Sequence, residues 1–460
     1  MSEQTPILAT GYFLGAVLAA AMLVAGLSLA AALICGVAAL AYCYLEISSR
    51  KAGIVHVDIA FVLFFTIYSL NLPIFAHISP KDLSLDIVDR GLLICIFCHM
   101  GLALGLIFVR FRSVSVSNNG ISSSYQLSAR QINIASYILF FVGLVGSVVA
   151  VMATVGFQAY LGAGYAGRAL LKREAGPIEI GLYVCAVSLI AIFSVGLIDG
   201  ARNRARLFLY CATVFFVAYV AYLGIRRPMF LLICGLFSAF SIIRFRPKIS
   251  GACVVVLPLF VILSTFAHYR QVISSDGVAA TIDFIRDNAS VEWLDVSDNE
   301  LGAPFRTLYD EIPFVDKRGF GLGISYLSSP VYMLPSFING GVVSLSGEYT
   351  DRHFDPRFIS IGGNMGYFPA TEAFYNFGLS GCLVIFLLMI ILLGRINIYA
   401  FENWRNNAFG VTIFATIIPW LAFFIRLDFG SFAKSVLYSQ AIWFMILYCL
   451  ARSVRREAEL

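Results

Sequence analysis

Long apolar runs separated by short polar connections repeat along most of the chain. Runs of about 17 to 25 apolar residues are long enough for an α-helix to cross the ~30 Å hydrocarbon core of a bilayer. The pattern predicts about twelve transmembrane helices, and an even number puts both termini on the same side of the membrane. The predicted spans lie near 8–26, 28–46, 56–76, 91–109, 132–155, 179–198, 206–224, 228–243, 251–268, 378–394, 408–426 and 433–451.

Composition supports this all-α, polytopic membrane fold. Hydrophobic residues make up 60% of the 460-residue chain and charged residues only 13%, whereas about 25% of a typical soluble domain is charged. The net charge of +5 does not indicate nucleic-acid binding, because the basic residues are scattered and form no single basic face. The first residues, MSEQTP, carry no positive charge, so we expect no cleaved signal peptide.

The positions of the basic residues predict the orientation of the chain. Arginine and lysine concentrate in alternate connections and in the C-terminal tail, and the positive-inside rule assigns those segments to the cytoplasm. We therefore expect both termini to be cytoplasmic. The residues concerned are Arg50, Lys51, Arg110, Arg112, Arg130, Arg202, Arg204, Arg206, Arg244, Arg246, Lys248, Arg395, Arg405, Arg452, Arg455 and Arg456.

One long connection, residues 269–377, falls on the opposite side. The chain then divides into helices 1–9 with short connections (1–268), a large periplasmic loop (269–377), and helices 10–12 with the cytoplasmic tail (378–460), all within one membrane domain. Two loop segments, 279–294 and 325–338, have the periodicity or the apolar character of short helices that lie on a membrane surface.

Four arginines lie at predicted span ends on the side of the long loop. Arg226 and Arg227 stand in the short turn "IRRP", where Pro228 suits the first turn of the next helix. Backbone N–H groups and guanidinium forks together favour a phosphate at such a position. Arg270 and Arg426 follow the ninth and eleventh spans. The alternative for all four is interfacial anchoring among lipid headgroups.

The long loop contains a second basic group. Arg352, His353 and Arg357 occur among acidic residues, immediately before the glycine-rich stretch "ISIGGNMG". Glycines there permit the backbone to approach a ligand closely. Histidine titrates near neutrality and is suited to proton transfer. The alternative is a charged turn that is simply solvated.

A helix is predicted where "PATEAFYNFG" leads into the tenth span. Pro369 suits its first turn, and Glu372 precedes Tyr375 and Asn376 by three and four positions, so the three side chains share one helix face. A carboxylate at the mouth of a span is a candidate base or a sugar-binding group. Arg357, Tyr375 and Asn376 are further candidates for binding a ligand there.

Patterns for metal and cofactor binding are weak. "CIFCH" at 95–99 matches the haem-attachment pattern, but it lies inside the fourth span, which has no room for haem. All ten cysteines fall inside predicted spans and are expected to be small core residues. No residues show metal-site spacing, so we expect neither a metal nor another cofactor.

Three segments resemble the Wzy-type O-antigen polymerases, which join oligosaccharide repeat units at bacterial inner membranes. They are "IRRP" at 225–228, "GFGLGISYLSSPVYMLPSFI" at 319–338 and "GGNMGYFPATEAFYNFGLSG" at 362–381. Arg352 precedes Gly363 by eleven positions, which is similar to the family's arginine, ten residues, glycine pattern. The second such pattern of some members has no clear counterpart, although Arg168 and Arg173 lie in the corresponding loop.

The resemblance implies a metal-independent, glycosyltransferase C-like enzyme in the bacterial inner membrane. Such an enzyme moves a growing glycan from undecaprenyl diphosphate to a hydroxyl of the next lipid-linked repeat unit, on the periplasmic face. Arg226, Arg227, Arg270 and Arg426 would bind diphosphate, Arg352 would stabilise the leaving group, and Glu372 or His353 would be the base. Membrane lipids and a polysaccharide chain-length regulator are the further partners implied.

Two other functions remain open at this point. An O-antigen ligase performs the same chemistry with a lipid A acceptor, and the neighbouring Arg352 and His353 fit that class as well. A lipid or solute transporter is the alternative from another class. A transporter should carry ionisable residues near the membrane centre, whereas here they concentrate at span ends.

Overall fold

The computed structural model describes residues 5–49, 56–79, 83–112, 128–154, 177–199, 203–222, 226–243, 302–335, 338–355, 366–403, 407–441, 443–446 and 448–449. Within these ranges the chain is helical and contains no β-strand. The helices are α1 (Thr5–Val24), α2 (Ser28–Ser49), α3 (Val57–Ile78), α4 (Leu85–Arg112), α5 (Ala129–Thr154), α6 (Pro177–Asp199), α7 (Asn203–Tyr222), α8 (Arg226–Ile243), α9 (Ala303–Arg318), α10 (Ile324–Met333), α11 (Leu345–His353), α12 (Pro369–Asn403), α13 (Ala408–Phe424) and α14 (Phe429–Val436), followed by a π-helical turn, Leu437–Ala441.

The helices confirm a polytopic membrane protein. Within the described residues, seven are long and apolar enough to cross a bilayer, namely α1 to α6 and α12. Three shorter apolar helices, α7, α8 and α13, lie where spans were predicted. The predicted span 251–268 lies outside the described residues. The span predicted at 433–451 coincides with α14, the π-helical turn and residues 443–446 and 448–449, so a total of twelve spans stays a prediction.

The membrane helices pack into one bundle around α4 and α12. These two helices make the most extensive contact, and α1 with α2 and α4, α5 with α6, and α8 with α6 and α13 are further packed pairs. Gly101 of α4 lies directly against the backbone carbonyl of Leu383 in α12, so a side chain at that position would collide with it. Small residues allow membrane helices to approach closely.

The histidine of "CIFCH" joins three membrane helices. In α4, His99 is completely buried. Its Nδ1 atom contacts the Tyr12 hydroxyl of α1, and its Nε2 atom lies 3.1 Å from the Ser69 hydroxyl of α3. Cys95 and Cys98 are buried free thiols beside it. Because both ring nitrogens have partners on neighbouring helices, His99 is explained as a structural link within the helix bundle.

Helices α9 to α11 and their connections, residues 302–368 where described, form a cap on the bundle. Helix α9 packs against α3, α4 and α12. Arg90 at the start of α4 makes two hydrogen bonds to the Asp316 carboxylate, at 2.7 and 2.8 Å, and this bond holds the pKa of Asp316 below its usual value. The Tyr309 hydroxyl accepts from the Ser84 N–H at 3.0 Å. These bonds fix α9 to the bundle.

The surface helix expected within 325–338 is present as α10. The residues between Arg318 and Glu348 include no charged side chain. Several large apolar side chains on and beside α10 are exposed, among them Leu322 and Leu327 at 79% and 75%. An uncharged helix with an exposed apolar face is typical of a segment in the membrane interface. The other predicted surface helix, at 279–294, lies outside the described residues.

A kink at Gly378 divides α12 at the boundary predicted between loop and span. The residue has φ 65° and ψ −153°, a backbone region open almost only to glycine. On the cap side of the kink, the carbonyls of Tyr375 and Asn376 accept hydrogen bonds from the backbone N–H groups of Gly321 and Leu322, at 2.8 and 3.0 Å. The first turns of α12 are therefore bonded to the cap.

Replacing Gly378 by alanine is expected to destabilise the protein by about 1–3 kcal/mol, because alanine disfavours this backbone conformation. Its Cβ would also lie 2.9 Å from the Phe320 ring. The thermal midpoint of the detergent-purified variant should fall. Gly11→Ala is the control, since the added carbon meets no atom within 4 Å. Equal midpoints for the two variants would refute the strained kink.

Candidate functional site

Two buried polar clusters lie where the cap meets the bundle. The Glu372 cluster consists of Ser325, Glu372, Asn376, Asp428 and Phe429. The Glu311 cluster consists of Glu311, Phe314, Tyr349, Arg352 and His353. Each cluster joins elements that are distant in sequence, and together they contain four of the predicted site residues, Arg352, His353, Glu372 and Asn376.

Glu372 is the centre of the first cluster. It lies in the first turn of α12 and is only 1% exposed. Its Oε1 atom accepts from the Ser325 hydroxyl and its Oε2 atom from the Phe429 N–H, both at 2.7 Å. A buried carboxylate requires such donors, because its desolvation would otherwise be very costly. Glu372 thus connects α10, α12 and α14.

Asn376 completes this arrangement one helical turn later. Its side-chain nitrogen donates to the Ser325 hydroxyl at 2.7 Å and to the Glu372 backbone carbonyl at 2.8 Å. Ser325 therefore accepts from the amide and donates to the carboxylate. Tyr375 follows the helix on a neighbouring position, with its ring against Gly321. Glu372 and Asn376 lie on one helix face, as predicted, and both side chains bond to Ser325 of the protein itself.

Asp428 lies next to Glu372 and caps α14. Its Oδ1 atom accepts from the Ser431 N–H at 2.9 Å, a typical N-cap bond. Burial raises the pKa of Asp428, because removal from water disfavours the charged form. The two carboxyl groups are close enough to interact electrostatically.

Glu311 holds the two basic side chains of the second cluster. It is completely buried on α9. Its Oε1 atom accepts from Arg352 at 2.8 Å and lies 3.2 Å from His353 Nε2. The basic side chains remain partly exposed, at 21% for Arg352 and 25% for His353. A fully buried acid is thereby paired with two groups that solvent can reach.

Aromatic rings fix the geometry of this cluster. The Arg352 guanidinium lies 4.1 Å from the centre of the Phe314 ring, within the range of a cation–π interaction. The Tyr349 ring lies 4.9 Å from the His353 ring, and its hydroxyl donates to Asp310 at 2.7 Å. Burial raises the pKa of Tyr349, so it stays a neutral donor.

Tyr367 lies between the two clusters. Its ring is 5.6 Å from that of Tyr349, and its N–H donates to the Arg426 carbonyl at 3.0 Å. Its completely buried hydroxyl has no hydrogen-bond partner among the described residues. Burial, followed by the charges of Glu311 and Glu372, raises the pKa of Tyr367. Both carboxylates therefore act on this one hydroxyl.

The predicted arginine pair lies at the cap end of the bundle. Arg226 and Arg227 begin α8, and Arg227 is exposed. The rings of Phe230 and Phe423 are 5.3 Å apart, which sets the start of α8 beside the end of α13. The pair is consequently at the level of Arg426. Arg270 and Arg357, the remaining predicted arginines, lie outside the described residues, as does the side chain of Arg226.

Sequence reasoning missed Glu311 and Ser325. A signal for Glu311 was available, because the buried Leu308, Ile312 and Val315 define an apolar face of α9 on which Glu311 also falls. An acid on the apolar face of an amphipathic helix indicates a buried partner. Ser325 carried no comparable signal within "SYLSSP".

Comparison with known proteins finds no relative. No protein-family model, curated protein or solved structure matches the chain. Function must therefore be inferred from the sequence and the two clusters.

Replacing Asp428 by asparagine is expected to maintain or raise thermal stability. Asparagine caps helices as well as aspartate does and removes a carboxyl group whose ionisation is disfavoured. Because the pKa of Asp428 is raised, this carboxyl costs stability as pH rises, so the advantage of asparagine should grow with pH. Asp428→Ala loses the cap and should cost about 1 kcal/mol.

Unfolding of both variants can be followed by the fluorescence of the four tryptophans between pH 5 and 8. An asparagine variant less stable than the alanine variant would contradict this account of the cap.

Proposed function

We propose that the chain is a glycosyltransferase that polymerises undecaprenyl-diphosphate-linked oligosaccharide repeat units into O-antigen or a related surface polysaccharide. The observation that carries the proposal is the Glu311 cluster, in which a buried acid holds a partly exposed arginine and histidine beside the Glu372 cluster. Transfer from a diphosphate needs fixed cations and a proton acceptor. The clusters supply both types of group where the cap meets the membrane helices.

The proposed reaction needs no metal. A hydroxyl of the acceptor repeat unit attacks the anomeric carbon of the donor glycan, and the bond to the diphosphate oxygen breaks. Arg226, Arg227, Arg270 and Arg426 are the proposed diphosphate ligands, and Arg352 offsets the charge that develops on the leaving group. Arg357, Tyr375 and Asn376 are proposed to contact glycan. His353 and Glu372 are the candidates for the base.

The location belongs to the same proposal. The enzyme would lie in the bacterial inner membrane with about twelve spans in a glycosyltransferase C-like arrangement, both termini in the cytoplasm and the cap in the periplasm. Its lipid-linked substrates would reach the site between membrane helices, and a chain-length regulator would be a protein partner. The positive-inside rule supports the orientation.

A ligase is the second candidate, because the pairing of Arg352 and His353 through Glu311 serves transfer to a lipid A acceptor equally well. Purified protein in liposomes, supplied with lipid-linked repeat units, distinguishes the two functions on a gel. A ladder of glycan lengths identifies a polymerase, and transfer only to added lipid A identifies a ligase. Uptake into vesicles with unchanged glycan would refute both.

The orientation predicts opposite labelling of two exposed positions. In a background without the ten native cysteines, Glu348→Cys in the cap should react with an impermeant maleimide in intact spheroplasts. Arg130→Cys, at the start of α5, should react only after permeabilisation, because its connection is basic. The reverse pattern would invert the proposed topology.

Loss of the arginine pair should abolish transfer. The variant Arg226→Ala, Arg227→Ala is expected to reduce polymerisation at least about 100-fold, the cost of removing fixed charge from a charged transition state. Lysine at both positions should recover little, because it lacks the planar guanidinium fork. Arg206→Ala, an exposed arginine on the predicted cytoplasmic side, is the control. Normal ladders from the double alanine variant would exclude the pair from the site.

A further inference from the structure

The pairing of Glu311 with His353 separates the two candidates for the base. The distance of 3.2 Å between Glu311 Oε1 and His353 Nε2 joins a completely buried carboxylate to a ring that is 25% exposed. We infer that His353 is the base of the proposed glycosyl transfer and that Glu311 is its positioning residue. This inference rests on the proposed function and adds Glu311 to the site residues predicted from the sequence.

The carboxylate determines the tautomer of the ring. A carboxylate only accepts hydrogen bonds, so the proton of a neutral His353 lies on Nε2 and points to Glu311. The lone pair is then on Nδ1, for which the described residues provide no partner. An imidazole held in one tautomer by an acid, with its other nitrogen available, is the arrangement of a general base.

Arg352 is paired with the same acid. It donates to the same oxygen of Glu311 at 2.8 Å and so offsets the cost of a buried negative charge. The Oε2 atom of Glu311 is buried and has no partner among the described residues. A carboxylate that served only to bind two cations would gain by bonding through both oxygens. Its single shared oxygen instead orients the two basic side chains together.

The surroundings of His353 are otherwise mixed in charge. The Tyr349 ring covers one side of the imidazole at 4.9 Å and keeps the ring in place. Among the described residues, Arg306, Asp310 and Glu311 of α9 act electrostatically on Tyr349, whose ring covers the imidazole, and Glu348 lies 3.9 Å from the neighbouring Arg352. Glu311 is the one among them that bonds to the imidazole.

Glu372 is less suited to the same task. Both of its oxygens already accept hydrogen bonds at 2.7 Å, and it is 1% exposed. A base must come within hydrogen-bond distance of the proton it removes. Each oxygen of Glu372 could accept a second hydrogen bond, but at 1% exposure the side chain is closed to a substrate hydroxyl. Its role is to hold α10, α12 and α14 together beneath the reacting groups.

The proton and the electron pairs balance in this assignment. The acceptor hydroxyl oxygen forms the new bond to the anomeric carbon while its proton passes to Nδ1 of His353. The bond between that carbon and the diphosphate oxygen breaks, and its electron pair leaves with the diphosphate. The imidazolium that results is stabilised by the negative charge of Glu311, and it returns its proton to water after the glycan product moves.

The first test measures His353 directly and needs no substrate. The chain has five histidines, so ¹⁵N-histidine NMR of the detergent-purified protein, with His353→Gln for assignment, resolves this ring. We expect the Nε2–H tautomer in the parent. In Glu311→Gln the side-chain amide can also donate to Nε2, so the Nδ1–H tautomer should become populated. An unchanged tautomer would overturn the inference.

The second test follows the rate of polymerisation. Glu311→Gln keeps the shape of the side chain and should lower kcat at least about tenfold with little change in KM, because the base loses its orientation. Glu311→Asp keeps the carboxylate and should recover part of the rate. His353→Gln should lose about 100-fold or more. Asp351→Asn, which removes an exposed acid of the same helix, is the matched control and should behave like the parent.

The outcomes separate the inference from the proposed function. A folded His353→Gln variant that polymerises normally overturns the inference and leaves the polymerase proposal intact. A Glu311→Gln variant that is slow but keeps the parent tautomer of His353 also overturns it, since a purely structural role has that result. A parent protein that forms no glycan ladder refutes the polymerase proposal, while the NMR comparison still decides whether Glu311 controls His353.

Discussion

The hydrogen-bonded burial of Glu372 is the interaction on which the rest of this structure depends. A carboxylate removed from water at the mouth of a membrane helix is tolerated only when donors surround it. Those donors come from the Ser325 hydroxyl on α10 and the Phe429 N–H at α14. The acid thus imposes a single relative placement on a surface helix, a membrane helix and the turn after α13. The Tyr367 N–H donates to the Arg426 carbonyl in that turn. Without that placement, Tyr367 would not lie between the two clusters.

The Glu311 cluster obeys the same rule with a different result. Here too a buried acid has to be paired, but its partners are charged side chains that remain partly exposed. Both oxygens of Glu372 accept hydrogen bonds from neutral donors, and the side chain is closed to solvent. Glu311 instead bonds to two basic side chains that solvent can reach. One chain therefore uses two buried carboxylates for two purposes, and the difference lies in the donors that surround each of them.

The sequence predicted the membrane helices well, because apolar runs of sufficient length have few alternatives to a spanning helix. It placed the start of the tenth span at 378, where Gly378 kinks α12, and it correctly predicted a helix that begins at Pro369, because proline suits the first turn of a helix. It also placed Glu372 and Asn376 on one face correctly, because that is a local property of a helix. Their partner Ser325 lies 47 positions before Glu372, and Phe429 lies 57 positions after it. Contacts over such separations arise from the packing of segments that no local pattern describes.

The kink at Gly378 divides α12 into two segments that contact different parts of the protein. The residues before it, which include Glu372 and Asn376, are bonded to Gly321 and Leu322 of the cap, while the residues after it pack along α4. The bonds from the cap to the Ser84 N–H and to Arg90 also hold the first segment in its direction relative to α4. The chain thus turns a fixed corner where α12 leaves the cap, and the backbone angles of one glycine, together with side-chain bonds, set where Glu372 lies relative to the membrane helices.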